Sequence, residues 1–149
     1  MNLNQFLAIA KRSTYAKSGE SGERKLTDGG REFTFQMKGF KYRDIYFGFN
    51  PFAGEEVVWQ DEKPIWVMHY YGKVISERVN IDDVYVVLKA ALSKVDEKLP
   101  FRGPLHFNQP PWHYFNSMVE DDDHFVGSEK ILFFSTEVYR LFYHGGVVS

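Results

Sequence analysis

Within residues 4–16, Phe6, Leu7, Ala10 and Thr14 recur at helical spacing, and Asn2 or Asn4 can cap the segment. This predicts an amphipathic helix. Residues 18–31 turn polar and carry Gly19, Gly22, Gly29 and Gly30, which reads as a flexible loop. Asp28-Gly29-Gly30 is a turn signal into the next element. Alternation with period two then takes over. Residues 32–38 set Phe33, Phe35 and Met37 against polar neighbours, and Gly39-Phe40 turn that strand into another at residues 42–49. Asn50-Pro51 interrupts the pattern. A third strand follows Gly54 at residues 55–60, and Asp61 to Lys63 make a hairpin into a fourth at residues 64–71, ending at Gly72. Such short connections favour antiparallel neighbours.

A second helix follows. Asp82 and Asp83 suit the positive end of its dipole. Val84, Val87, Leu88, Ala91, Leu92 and Val95 form its apolar stripe, and Pro100 stops it. Strands are expected again at residues 105–108, 112–119, 125–134 and 137–143, punctuated by Pro110-Pro111 and the acidic run at residues 120–123.

The order α-β-β-β-β therefore occurs twice, and the residues repeat with it. Phe52, Gly54, Glu56, Val58, Trp66, Met68, Tyr70 and Gly72 align without a gap, at an offset of 73, with Phe125, Gly127, Glu129, Ile131, Tyr139, Leu141, Tyr143 and Gly145. Two copies are too few for a solenoid. The expectation is one α+β domain over residues 1–149, built from half-repeats at about 1–73 and 74–149. Its antiparallel sheet would be curved, with two helices packed on one face.

At 149 residues the chain can bury a proper core. A net charge of -2 supplies no basic field to recruit nucleic acid, and the scattered Lys and Arg make no obvious patch. The absence of cysteine removes disulfides, thiolate metal sites and a Cys nucleophile. No apolar run is long enough to span a membrane, so a soluble cytoplasmic protein is expected. The unusual figure is the aromatic content, 17%, which fits either a β-rich core or an aromatic-lined pocket.

Strand parity puts Trp66, Met68 and Tyr70 on one face, with Tyr139, Leu141 and Tyr143 as their counterparts. Glu56 and Glu129 share the parity of apolar neighbours. A carboxylate there is costly unless paired or hydrogen-bonded. Three arrangements meet that requirement: structural glutamates accepting backbone or tyrosine donors, ligand-facing carboxylates in a pocket, or an acid/base dyad where the halves meet. The five histidines show no metal-ligand spacing, and the nucleophile and phosphate-loop motifs are missing. Trp112-His113-Tyr114, after Pro110-Pro111, reads as an aromatic ledge.

Several runs together resemble a known family: Tyr46-Phe47-Gly48, Asn50-Pro51-Phe52, Gly54-Glu55-Glu56-Val57-Val58-Trp59, Lys63-Pro64-Ile65-Trp66 and Met68-His69-Tyr70-Tyr71-Gly72. Thr14-Tyr15-Ala16 near the start and Tyr143-His144-Gly145-Gly146 near the end extend the likeness over nearly the whole chain. The chain resembles an uncharacterised bacterial domain-of-unknown-function family, whose members occur alone or behind an Xre-type helix-turn-helix domain. His69 stands where that family usually has Asn. The resemblance implies a sensor or effector-binding module and brings no catalytic residues or cofactor. Direct binding to nucleic acid is not expected, because the two helices are separated by a whole sheet.

Three functions are compatible with the sequence. The first is a non-catalytic module holding a small apolar or aromatic ligand, with Glu56, Glu129, Trp66, Tyr70, Tyr143 and Trp112 as site residues. The second is a homodimerisation or partner surface built on Tyr71 and Phe142 of the opposite sheet face. The third is an enzyme using Glu56 or Glu129 as general acid or base.

Overall fold

The computed structural model describes residues 1–18 and 22–149. The first helix, α1, runs from Leu3 to Ser13 and begins with a capping box. The Asn2 side chain accepts from the Gln5 amide at 2.9 Å, and the Gln5 side chain accepts from the Asn2 amide at 3.1 Å. Its inward face carries Phe6, Leu7 and Ala10, and also Lys11. One further helical turn, α2 (Tyr15–Ser18), follows. The loop expected at residues 18–31 lies partly outside the described residues, at 19–21. Its remainder is not all loop, since β1 (Arg24–Lys25) pairs with the next strand. The turn before that strand is closed by Asp28, whose carboxylate accepts from the Gly30 amide at 2.9 Å.

Four antiparallel strands follow: β2 (Arg31–Met37), β3 (Phe40–Gly48), β4 (Phe52–Gln60) and β5 (Lys63–Val74). Helix α3 (Ile81–Leu92) is capped by Asn80, whose side chain accepts from the Asp82 and Asp83 amides. The helix ends at Leu92, short of the expected stop at Pro100, although Val95 beyond it stays buried. The chain closes with β6 (His106–Gln109), β7 (Trp112–Glu120), β8 (His124–Phe133) and β9 (Thr136–Val147).

Among the described residues these nine strands form one antiparallel sheet in the order β1-β2-β3-β4-β5-β9-β8-β7-β6. The fold is α+β. The two strand groups meet along β5 and β9, where Tyr70 lies opposite Tyr143. The hairpins on either side share a register. Glu56 faces Met68 as Glu129 faces Leu141, and bulges follow Val58 and Ile131.

One sheet face and both long helices enclose a single core. Phe6, Leu7 and Ala10 of α1 and Val84, Val87, Leu88 and Ala91 of α3 pack over Tyr42, Val58, Trp66, Met68, Tyr139 and Leu141. The opposite face has no covering layer among the described residues, and it exposes Tyr71, Val126 and Phe142. No helix among the described residues is long and apolar enough to cross a membrane.

Candidate functional site: a buried charge cluster beneath an aromatic cleft

The covered sheet face hides five charged side chains: Lys11, Asp44, Glu56, Arg102 and Glu129. They fall into two groups. Glu129 on β8 is saturated with donors. Arg102 clamps it with two bonds, Nη2 to Oε1 at 2.6 Å and Nε to Oε2 at 3.2 Å. Tyr114 donates to Oε2 at 2.5 Å and Tyr139 to Oε1 at 2.9 Å. Burial alone would lower the pKa of Arg102. The charge of Glu129, its hydrogen bonds and the neighbouring Tyr139 and Tyr114 together outweigh this and hold the guanidinium well above its ordinary value. Beside this group, Tyr143 donates to Asn116 at 2.7 Å, and Asn116 donates to the Gly103 carbonyl at 2.8 Å.

The second group is looser. Lys11 Nζ lies 2.5 Å from Glu56 Oε2, and the pair is held by charge and by a side-chain hydrogen bond. Lys11 also donates to the Phe101 carbonyl. Burial lowers the Lys11 pKa, and Glu56 opposes that only in part. Directly opposite Glu56, on β3, stands Asp44. Its Oδ1 accepts from the Tyr70 hydroxyl at 2.6 Å. Burial, followed by the adjacent charge of Glu56, raises the Asp44 carboxyl to about 7, against the Tyr70 hydrogen bond and the charges of Lys11 and Arg102.

Asp44 and Arg102 both line a cleft between helices and sheet. Its cavity of about 50 Å³ suits a few waters or one small organic group. The walls are aromatic. Tyr85 of α3 stands edge-on to Phe49 and Phe52, with centroids at 5.2 and 5.8 Å, and donates to the Phe49 carbonyl at 2.5 Å. Phe52 meets the Tyr70 ring at 6.0 Å, and the Arg102 guanidinium lies 5.5 Å from the centre of that same ring. Tyr15 and Tyr46 complete the rim. A second, smaller cavity of about 30 Å³ lies alongside, and Lys11, Tyr42, Asp44, Glu56 and Arg102 reach it.

Residues 44–148 match the family model described as a domain of unknown function, DUF5680. The chain belongs to this family. The match begins at Asp44, so α1 and Lys11 lie outside it. No curated protein and no solved structure matches the chain.

The residues singled out from the sequence take different places in this DUF5680 chain. Tyr70 lines the cleft, and Glu56 lines the smaller cavity beside it. Trp66 is packed in the core, stacked near Phe101 and Phe125 at 6.0 and 5.9 Å. Glu129 and Tyr143 belong to the Arg102 and Asn116 networks. Trp112 packs on Phe133 at 4.5 Å, in the hairpin at the far end of the sheet. Glu56 and Glu129 do not form a dyad. Strands β5 and β9 stand between theirs, and each carboxylate has its own cation, Lys11 for Glu56 and Arg102 for Glu129. The acidic pair that the fold does create is Asp44 with Glu56.

Asp44, Lys11 and Arg102 were not among the sequence candidates. Asp44 had a readable signal, because it shares the inward parity of Phe40 and Tyr42. Lys11 lies one helical turn after Leu7 on the buried face of α1. Arg102 follows Pro100 and Phe101 in a loop with no periodicity to place it.

Proposed function

We propose that this domain is a non-catalytic effector-binding module whose ligand occupies the aromatic cleft above Asp44 and Arg102. One observation carries the reading. A carboxyl that ionises near neutrality and a fixed guanidinium converge in a cleft whose remaining walls are aromatic except for Leu88. Apolar walls with a few convergent polar groups are the usual form of a small-molecule site. Tyr70 and Glu56 act in and beside that site. Glu129 holds Arg102 in position, while Trp66 and Tyr143 belong to the buried core. The shared registers of β4–β5 and β8–β9 support descent of the two halves from one α-β-β-β-β unit. On that reading only the first half has kept a carboxylate where the second has Asn116.

Native mass spectrometry of the full chain purified from its own host, before and after denaturation, tests the reading. The expected result is a retained small molecule that is released on denaturation and rebinds to fresh protein. Rebinding should broaden or shift the NMR signals of Tyr70 and Tyr85. A ligand that leaves those signals unmoved would overturn it.

A second reading has its own observation. Tyr71 and Phe142 are cross-strand neighbours at the centre of the uncovered face, both more than half exposed. A second copy covering that face would make a homodimer. Sedimentation of the chain and of Tyr71→Lys decides it. A dimer lost in the variant supports this reading, and a monomer at high concentration removes it.

A further inference from the structure

The five buried charged residues do not balance. Lys11 and Arg102 supply two cations, and Asp44, Glu56 and Glu129 supply three carboxylates. Arg102 is committed to Glu129 and Lys11 lies against Glu56. Asp44 is left with a neutral donor, the Tyr70 hydroxyl. A buried cluster with an excess negative charge is relieved by a proton or by a cation. Asp44 is also the carboxyl that opens into the cleft, where Tyr46, Phe49, Phe52, Tyr70 and Tyr85 present aromatic rings. Rings around a carboxylate are a setting that attracts an ammonium group, through ring quadrupoles and a charge-assisted hydrogen bond. An anionic ligand would instead add a third negative charge against two cations even with Asp44 protonated.

We propose that the ligand of this cleft carries a protonated amine, seated against the Asp44 carboxylate between the aromatic walls. The inference rests on the cleft being a ligand site and adds the ligand's chemical class. The amine displaces the proton that otherwise neutralises Asp44, so binding strengthens as Asp44 ionises. The groups facing Asp44 are Glu56 from β4, Tyr70 from β5, Lys11 from α1 and Arg102 from the loop after α3. Tyr15 of α2 and Tyr85 of α3 add only neutral hydroxyls to the rim.

The test is an NMR titration of the full chain with three probes of one shape: isobutylammonium, isobutyl alcohol and isobutyrate. The ammonium is expected to shift the cleft residues and to bind about ten-fold more tightly than the alcohol. Its affinity should rise roughly ten-fold between about pH 6 and pH 8, while the probe itself stays protonated. Asp44→Asn, an isosteric change that still accepts from Tyr70, should abolish the preference for ammonium over the alcohol. The pH series on the unmodified chain gives an answer even if that variant does not fold. Alcohol or isobutyrate binding in the cleft as tightly as the ammonium would overturn the amine inference and leave the cleft reading standing. So would an ammonium preference that survives Asp44→Asn or ignores pH. No probe shifting the cleft residues would overturn both.

Discussion

Asp44 and Glu56 stand opposite each other on adjacent strands, two buried carboxylates on the same side of the sheet. Burial, and after it their mutual repulsion, has a consequence for stability. Unfolded, Asp44 ionises near 3.8, and folded it ionises at about 7. Between those values the folded chain keeps a proton that the unfolded chain has lost. The contribution of Asp44 to stability is therefore full below about pH 4 and falls away as pH rises to about 7. A displacement of about three pH units corresponds to roughly 4 kcal/mol. Asp44→Asn cannot ionise and removes this dependence. Urea unfolding of both proteins from about pH 4 to pH 8 should show the variant gaining on the unmodified chain as pH rises, then levelling off. A constant difference across that range would refute the assignment.

The two ion pairs should respond differently to loss of their carboxylates. Glu129→Gln strands the Arg102 guanidinium, which cannot shed its proton, and it disturbs two tyrosine donors. A buried charge left without its partner costs about 3–5 kcal/mol. Glu56→Gln strands Lys11, whose pKa burial already lowers. Lysine can escape by becoming neutral, so the cost should be smaller by about 2 kcal/mol and should shrink further as pH rises. Chemical denaturation at about pH 7 and pH 9 separates the two cases. Equal costs, or a pH-independent cost for Glu56→Gln, would contradict this account.

Much of this fold is legible as periodicity, and the departures have physical reasons. The alternation through Trp66, Met68 and Tyr70 is enough by itself to mark the buried side of β5. The strand nevertheless continues past Gly72 to Val74, because β9 pairs with it throughout, from Val147 opposite Trp66 to Tyr139 opposite Val74. A glycine that reads locally as a strand end is overridden by a long-range partner. The site was half legible. The parity of Glu56 and Glu129 exposes two buried carboxylates, but their cations come from unrelated places, Lys11 on a helix and Arg102 in a loop 27 residues before Glu129. The repeat gives no sign of Asp44, because its spatial counterpart is Asn116, opposite Glu129, which carries no charge.

The repeated glycines have a steric role that substitution exposes. Tyr70 lies across Gly54, and Tyr143 across Gly127, so closely that an added Cβ would overlap each tyrosine ring. Gly54→Ala and Gly127→Ala should each destabilise the chain by about 1–3 kcal/mol through overpacking. Only Gly54→Ala should also disturb the cleft, because the ring it displaces donates to Asp44. Denaturation midpoints together with the carboxyl ¹³C shift of Asp44 check both halves of the expectation. An unmoved Asp44 signal in Gly54→Ala would show that Tyr70 is not held by this contact.

Tyr70 and Tyr143 face one another across the centre of the sheet, yet their hydroxyls do different electrostatic work. Tyr70 donates to a carboxylate, Asp44, at 2.6 Å, and Tyr143 donates to a neutral amide, Asn116, at 2.7 Å. The first bond favours the ionised form of Asp44 and so restrains its pKa. Tyr70→Phe removes that donor, and the Asp44 titration should move above about 7. Tyr143→Phe leaves Asp44 its donor and should not move the titration, although it costs about 1–3 kcal/mol by leaving an Asn116 acceptor unpaired. Following the Asp44 carboxyl by ¹³C NMR against pH in the three proteins distinguishes them directly. A shift of similar size in both variants would mean that the tyrosines act on Asp44 through packing. An upward shift confined to Tyr70→Phe would show that this hydroxyl keeps the cleft carboxylate partly ionised at neutral pH.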